Sequence, residues 1–154
     1  DTVLRLSYTL ATPQIFVGSV APSVETLSPH RKARFLHYGR IYREFIRPLF
    51  PTCKVYHHEP VNSRGGVTSS GWFAMEFAAP DRTKGWATFV RIGPADPDTY
   101  LFKPRGLDPG KRYSVTFDSL NATVTATGLS LIREGLPIRL EAVGTSELLL
   151  FRVQ

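Results

Sequence analysis

Hydrophobic and polar residues alternate most clearly between Gly71 and Gly93, GWFAMEFAAPDRTKGWATFVRIG. Two alternating apolar runs flank the turn-forming segment Pro80-Asp81-Arg82-Thr83-Lys84-Gly85, which is the sequence form of a β-hairpin with a longer loop. With Ala79 opposite Trp86, one face collects Phe73, Met75, Phe77, Trp86, Val90 and Ile92, and the pattern assigns that face to a core. The other face holds Trp72, Ala74, Glu76, Phe89 and Arg91, with Glu76 and Arg91 as diagonal neighbours able to pair in charge.

The pattern changes period in only one place. Ser28-Pro29 supplies an N-cap followed by proline at the first helical position, and a helix is expected from about Pro29 to Arg47, ended by Pro48 and Pro51. A step of roughly 100° per residue gathers Phe35, Tyr38, Ile41, Tyr42, Phe45, Ile46 and Leu49 on one stripe and Lys32, Arg40, Arg43 and Arg47 opposite. Ahead of it, Val3 to Leu10 and Ile15 to Val20 are short apolar runs punctuated by Pro13, Gly18 and Pro22, with no sustained helical period.

From Lys54 onward the expected elements are strands: Lys54 to Glu59, Gly71 to Ala79, Trp86 to Ile92, Thr99 to Lys103, Arg112 to Phe117, Ala122 to Ala126, Ile138 to Ala142 and Glu147 to Val153. Asn62-Ser63-Arg64-Gly65-Gly66, Gly93-Pro94-Ala95-Asp96-Pro97-Asp98, Asp108-Pro109-Gly110 and Asp118-Ser119-Leu120-Asn121 separate them with turn chemistry. Turn signals about 8 to 12 residues apart indicate a mainly β fold, an antiparallel β-sandwich of about eight short strands preceded by one amphipathic helix.

Composition narrows the classes. At 154 residues the chain can bury a core without disulfides or metals, and 42% hydrophobic with 21% charged residues is a soluble globular balance. The single cysteine, Cys53, excludes an intramolecular disulfide. No run reaches the roughly 20 apolar residues of a membrane span and no signal peptide is visible, so the expectation is a cytoplasmic protein without membrane contact. Asp1 in place of Met points to a piece of a longer chain. The net charge of +6 raises nucleic acid as a partner through the basic helix face, but a solvated face is the favoured reading.

The candidate chemistry is thin. In a regular strand His57 and Glu59 share a face and His58 takes the other, so two ligands at most converge, short of a zinc set, while His30 and His37 lie on another element. Cys53, between a helix stop and a strand start, reads as packing rather than a nucleophile. The carboxylates form no recognisable acid/base pair; Asp81, Asp96, Asp98 and Asp108 sit in turns. Gly65-Gly66 lacks the Lys-Ser/Thr of a phosphate loop, and Asn121-Ala122-Thr123 is a formal glycosylation sequon. Of the two tryptophans the hairpin sends Trp86 inward, leaving Trp72 as a carbohydrate platform or, the favoured reading, a ring covered by a loop or neighbouring domain. Neither cofactor nor metal is expected.

The order of several segments carries a family resemblance. Trp72 to Arg91, Gly106-Leu107-Asp108-Pro109 leading to Arg112-Tyr113, Gly128-Leu129-Ser130-Leu131 with Gly135-Leu136, and Ser146-Glu147-Leu148-Leu149-Leu150-Phe151 together resemble the C-terminal β-sandwich of glycoside hydrolase family 36 α-galactosidases and their clan relatives. Ile41-Tyr42-Arg43-Glu44-Phe45-Ile46-Arg47-Pro48-Leu49 resembles the helix that ends the catalytic barrel in those enzymes. The resemblance implies two domains, the end of a catalytic barrel at 1–50 and the sandwich at 51–154. It implies retaining hydrolases whose two barrel aspartates stand about 5 Å apart, and no position here matches either aspartate motif.

The expected function is therefore a non-catalytic supporting domain of an α-galactosidase-like hydrolase, partnered by the catalytic barrel. The alternative is a stand-alone carbohydrate-binding sandwich module. Exposure of the Phe35 to Leu49 stripe in an isolated fragment makes a homodimer an expected consequence of truncation.

Overall fold

The computed structural model describes residues 2–9, 27–63, 65–68, 70–94 and 98–154. The run from Ile15 to Val20 lies outside them, as do Arg64 and Ala95-Asp96-Pro97 of two expected separators. The chain divides into two units, Asp1–Pro51 and Thr52–Gln154.

The described residues of the first unit are mainly helical. Helix α1 spans Thr2–Thr9, where the sequence reading expects no sustained helical period. The segment is a short amphipathic helix fixed by tertiary contacts: Arg5 is buried and its Nε donates to Tyr38 Oη at 2.9 Å. Helix α2 (Pro29–Ile41) starts as expected, with Ser28 Oγ accepting from Arg31 N and Pro29 at the first position. A π-helical turn, Tyr42–Ile46, follows, and then a last helical segment, Arg47–Leu49. Pro48 therefore lies inside the helical run instead of ending it at Arg47. Proline lacks an N–H and crowds the carbonyl four residues back, and the ladder is already widened just ahead of it, with Arg47 N donating to Tyr42 O. Tyr38, Phe45 and Ile46 are buried, while Lys32, Arg40, Arg43 and Arg47 are exposed. Arg34 donates to Tyr38 Oη and lies 4.7 Å from that ring's centroid, a cation–π arrangement.

The second unit is a β-sandwich-like fold. Its main sheet is antiparallel with strand order β1-β4-β5-β10-β7-β8: β1 (Lys54–Glu59), β4 (Trp72–Ala78), β5 (Lys84–Arg91), β7 (Arg112–Phe117), β8 (Ala122–Thr127) and β10 (Ser146–Val153). An antiparallel two-stranded sheet of β6 (Thr99–Phe102) and β9 (Leu136–Arg139), strands remote in sequence, forms the second layer, and helix α3 (Gly128–Arg133) precedes β9. Two short strands that the turn-rich sequence between His58 and Gly71 conceals, β2 (Val61–Ser63) and β3 (Gly66–Thr68), make a separate ribbon. The two layers and α3 enclose one core of Ala74, Ala87, Phe89, Leu149, Phe151, Tyr113 and Val115 against Phe102, Ile138, Leu136 and Leu131.

The hairpin of β4 and β5 pairs Phe77, not Ala79, with Trp86. Asp81 tightens the turn: its Oδ1 accepts from Thr83 N at 3.0 Å and Thr83 Oγ1 at 2.8 Å, and Arg82 takes φ 57°. A slide of two residues keeps the same side chains together, because the strand period is two. It does separate Glu76, now opposite Ala87, from Arg91, now opposite Trp72, so the expected charge pair does not form.

The faces also exchange roles. The sandwich core lies on the face of Trp72, Ala74 and Phe89, the one expected to be partly polar, because its polar members are taken up internally. Arg91 Nη1 donates to Leu140 O and Glu141 O, both at 2.9 Å, and Glu76 is consumed by a loop described below. On the opposite face Phe77 and Trp86 stack at 4.5 Å and are buried, whereas Phe73 and Met75 are half-buried and Ile92 is exposed.

Tight backbone crossings set the loops around this core. A Cβ on Gly128 would fall 1.9 Å from Asp108 O, at the point where α3 starts from its cap Thr127. Gly128→Ala should therefore force the 108–110 turn away and destabilise the protein by about 2 kcal/mol, the usual scale of overpacking. Urea denaturation measures this; an unchanged midpoint would contradict the crossing.

Candidate functional site

The sheet holds a buried carboxylate on its core face. Glu76 is 1% exposed in the middle of β4, where an isolated carboxylate would be costly. Its Oε1 accepts from Gly106 N at 2.8 Å and its Oε2 from Arg105 N at 2.9 Å, and His58 Nε2 stands 2.8 Å from Oε2. Backbone amides of the 103–107 loop are thus fixed to the sheet by one side chain. The loop approaches so closely that a Cβ on Gly106 would lie 2.3 Å from Ala78 Cβ, which explains glycine there.

His58 reaches Glu76 through a bulge. β1 pairs with β4 regularly from Lys54↔Ala78 to His57↔Met75, then slips so that Glu59 faces Ala74. His57 and Glu59 therefore sit on opposite faces, not on the shared face a regular strand implies, since a bulge adds a residue and reverses alternation. The His58 ring packs edge-on to Phe102 at 5.0 Å. Glu59 Oε2 is buried and accepts no hydrogen bond among the described residues, and its charge adds to burial in raising the Tyr100 phenol above its ordinary value. His30 is exposed and His37 packs against Tyr38, both in the helical unit. Among the described residues no group of three or more His, Cys, Asp or Glu could hold a metal ion.

Beside this network is a cleft of about 500 Å³ lined by His57, His58, Pro60, Val61 and Arg105. Arg105 is exposed and its Nη1 donates to His57 O at 3.3 Å. The cleft offers a guanidinium and an imidazole against a short apolar wall. Glu76 does not open into it as an acid or base, because both its oxygens are engaged.

Trp72 is 2% exposed and packs on Tyr100, 5.7 Å between centroids, and on Leu140. A ring enclosed in this way has no open face for a sugar to stack on. Cys53 is half-buried, and burial pushes its thiol above the ordinary cysteine value.

Two further tethers escape a reading of the sequence. Glu147, buried in β10, accepts through Oε1 from Ser119 N and Leu148 N, both at 2.8 Å. Tyr113 Oη donates to Arg82 O at 2.6 Å and accepts from Asp108 N at 2.9 Å, joining the β4–β5 turn to the 107–111 loop. The visible signal for the Glu76 and Glu147 tethers is a lone glutamate inside a largely apolar strand.

Glu76→Ala should lower stability by about 3 kcal/mol, since it strands two backbone amides and an imidazole out of water. Denaturant titration reads the loss, and faster hydrogen exchange at Arg105 and Gly106 locates it. A variant as stable as the parent would mean that the carboxylate carries no such load. The Cys53 thiolate is scarcer at neutral pH in the folded chain than in the unfolded one, because a raised pKa keeps the proton on sulfur. Its reaction with a disulfide reagent should be several-fold slower native than in urea; equal rates would contradict the burial.

No family model matches the chain, and no curated protein matches it. Solved structures resemble it. The α-galactosidase from Lactobacillus brevis superposes with a TM-score of 0.65 at 18% identity, over 86% of this chain and 18% of that one. The family 36 α-galactosidase AgaA from Geobacillus stearothermophilus gives 0.64 at 17% identity, over 84% and 17%. A variant of AgaA in complex with raffinose gives 0.65 at 16% identity, over 100% of this chain and 25% of that one. At such identities the likeness is one of fold. The chain spans about a fifth of the length of these proteins, and it is a mainly β structure similar to one part of larger ones.

Proposed function

We propose that residues 52–154 are the supporting sandwich of an α-galactosidase-like glycoside hydrolase, and that residues 1–51 are the end of its catalytic (β/α)8 barrel. The carrying observation is the asymmetry of the fold likeness: 86% of this chain is matched by 18% of the Lactobacillus brevis α-galactosidase. The chemistry of the main sheet supports the same reading. Glu76 and Glu147, two buried carboxylates of the sheet, hold backbone amides of loops at 2.8 Å. Retaining glycoside hydrolysis needs two carboxyl groups about 5 Å apart across a sugar, and in this reading the barrel supplies them. The sandwich then contributes rigidity: a layered core whose loops are tied by buried polar groups. Its partner is the barrel of its own parent chain, and Trp72 serves the packing of the sandwich.

The second reading, a carbohydrate-binding module, draws on the cleft at His57 and Arg105. Incubation of the chain with nitrophenyl α-galactoside should give no turnover above buffer; turnover abolished by a single carboxylate substitution in this chain would overturn the supporting role. Galacto-oligosaccharides should give no saturable change in tryptophan fluorescence. A saturable change lost in Arg105→Ala would favour the binding module.

A further inference from the structure

The main sheet ends in two unlike edges. β1 begins with Lys54 and is interrupted by the bulge after His57, both devices that keep an edge from recruiting another strand. β8 has neither. Its sequence, ATVTAT, carries no charge and no proline, and its ladder to β7 is unbroken from Arg112↔Thr127 to Phe117↔Ala122. β7 takes one side of its backbone, and β8 is last in the strand order. All its residues but Ala126 are exposed.

Exposed apolar side chains gather at the same edge: Leu120 at 70%, Val124 at 41% and Leu129 at 43%. Val124 lies opposite Val115, which is fully buried, so the apolar face of the sheet continues to an open rim. An exposed, regular, uncharged edge strand is a template for pairing.

We propose that β8 is a self-association edge whose occupant is β8 of a second copy of this chain. A twofold axis normal to the sheet reverses the strand and preserves its face, so paired residue numbers must sum to an even value. Centred on Val124, the register pairs Val124 with its own copy, Thr123 with Thr125 and Ala122 with Ala126. β-branched residues then lie directly opposite one another, with no like charges facing. At each end Leu120 of one copy approaches the Gly128–Leu129 end of the other. A foreign strand would have to match this neutral Thr-Val-Thr pattern, which the chain matches by itself. The +6 charge on each copy is screened at physiological salt. One strand pair is a small interface, so the dimer is reversible and concentration-dependent. The proposal stands independently of the role in a hydrolase.

Sedimentation equilibrium of the full chain over a range of concentrations tests it. The wild type should show a monomer–dimer equilibrium, and Val124→Lys or Val124→Glu should each raise the dissociation constant at least about tenfold, because like charges meet at the axis. Thermal melts of the variants, followed by circular dichroism, should stay close to wild type, since Val124 is exposed. Equal amounts of the Lys and Glu variants should dimerise together. A strictly monomeric wild type, a dimer indifferent to Val124→Lys, or a mixture that stays monomeric would overturn the proposal.

Discussion

One buried carboxylate sets the course of much of the second unit. A glutamate in the middle of a core strand must find donors or cost several kcal/mol, and Glu76 finds them in two consecutive backbone amides and an imidazole. The 103–107 loop is thereby drawn onto the sheet, and glycine is required at 106 by the contact with Ala78. Phe102, immediately ahead of that loop, is fixed between the His58 ring and Phe89. The second layer is thus placed by a polar bond as much as by apolar burial.

The same device recurs where other loops meet the sheet. Glu147 holds the β7–β8 turn through Ser119, Tyr113 links two loops through its hydroxyl, and Arg91 takes two carbonyls after β9. Apolar packing is tolerant of small shifts, whereas each of these groups is satisfied in only one arrangement. Each of them fixes a loop to the sheet. Glu76 and Glu147 thus act on the backbone of the sandwich's own loops.

Much of the architecture is legible in the sequence because the strands alternate cleanly and the turns carry Gly, Pro, Asn and Asp. The helix start at Ser28-Pro29 and the six strands of the main sheet follow from those signals, whereas β2, β3 and helix α3 do not, and β9 falls at Leu136–Arg139 rather than Ile138 to Ala142. What escapes has local causes. The bulge at His57 leaves no mark in composition, yet it moves Glu59 to the other face. The choice of core face went against apolar count: Phe73, Met75 and Ile92 outweigh Ala74 and Ala78 in size, but Glu76 could be buried and Arg91 half-buried once loops supplied their partners. Those partners, Arg105, Gly106, Leu140 and Glu141, are remote in sequence, so no window around β4 or β5 contains them. Trp72 was readable as the odd ring of the hairpin, but its enclosure by Tyr100 and Leu140 depends on the β6–β9 layer.

The proposed supporting role presupposes something to support. The likeness to family 36 α-galactosidases extends over most of this chain and about a fifth of theirs, which makes the coding sequence upstream of Asp1 the most direct measurement. Reading it should reveal a continuous frame with alternating strand and helix periods and an aspartate at the ends of two of the strands, the barrel and its catalytic pair. A start codon adjoining Asp1, with no barrel pattern before it, would contradict the proposed role.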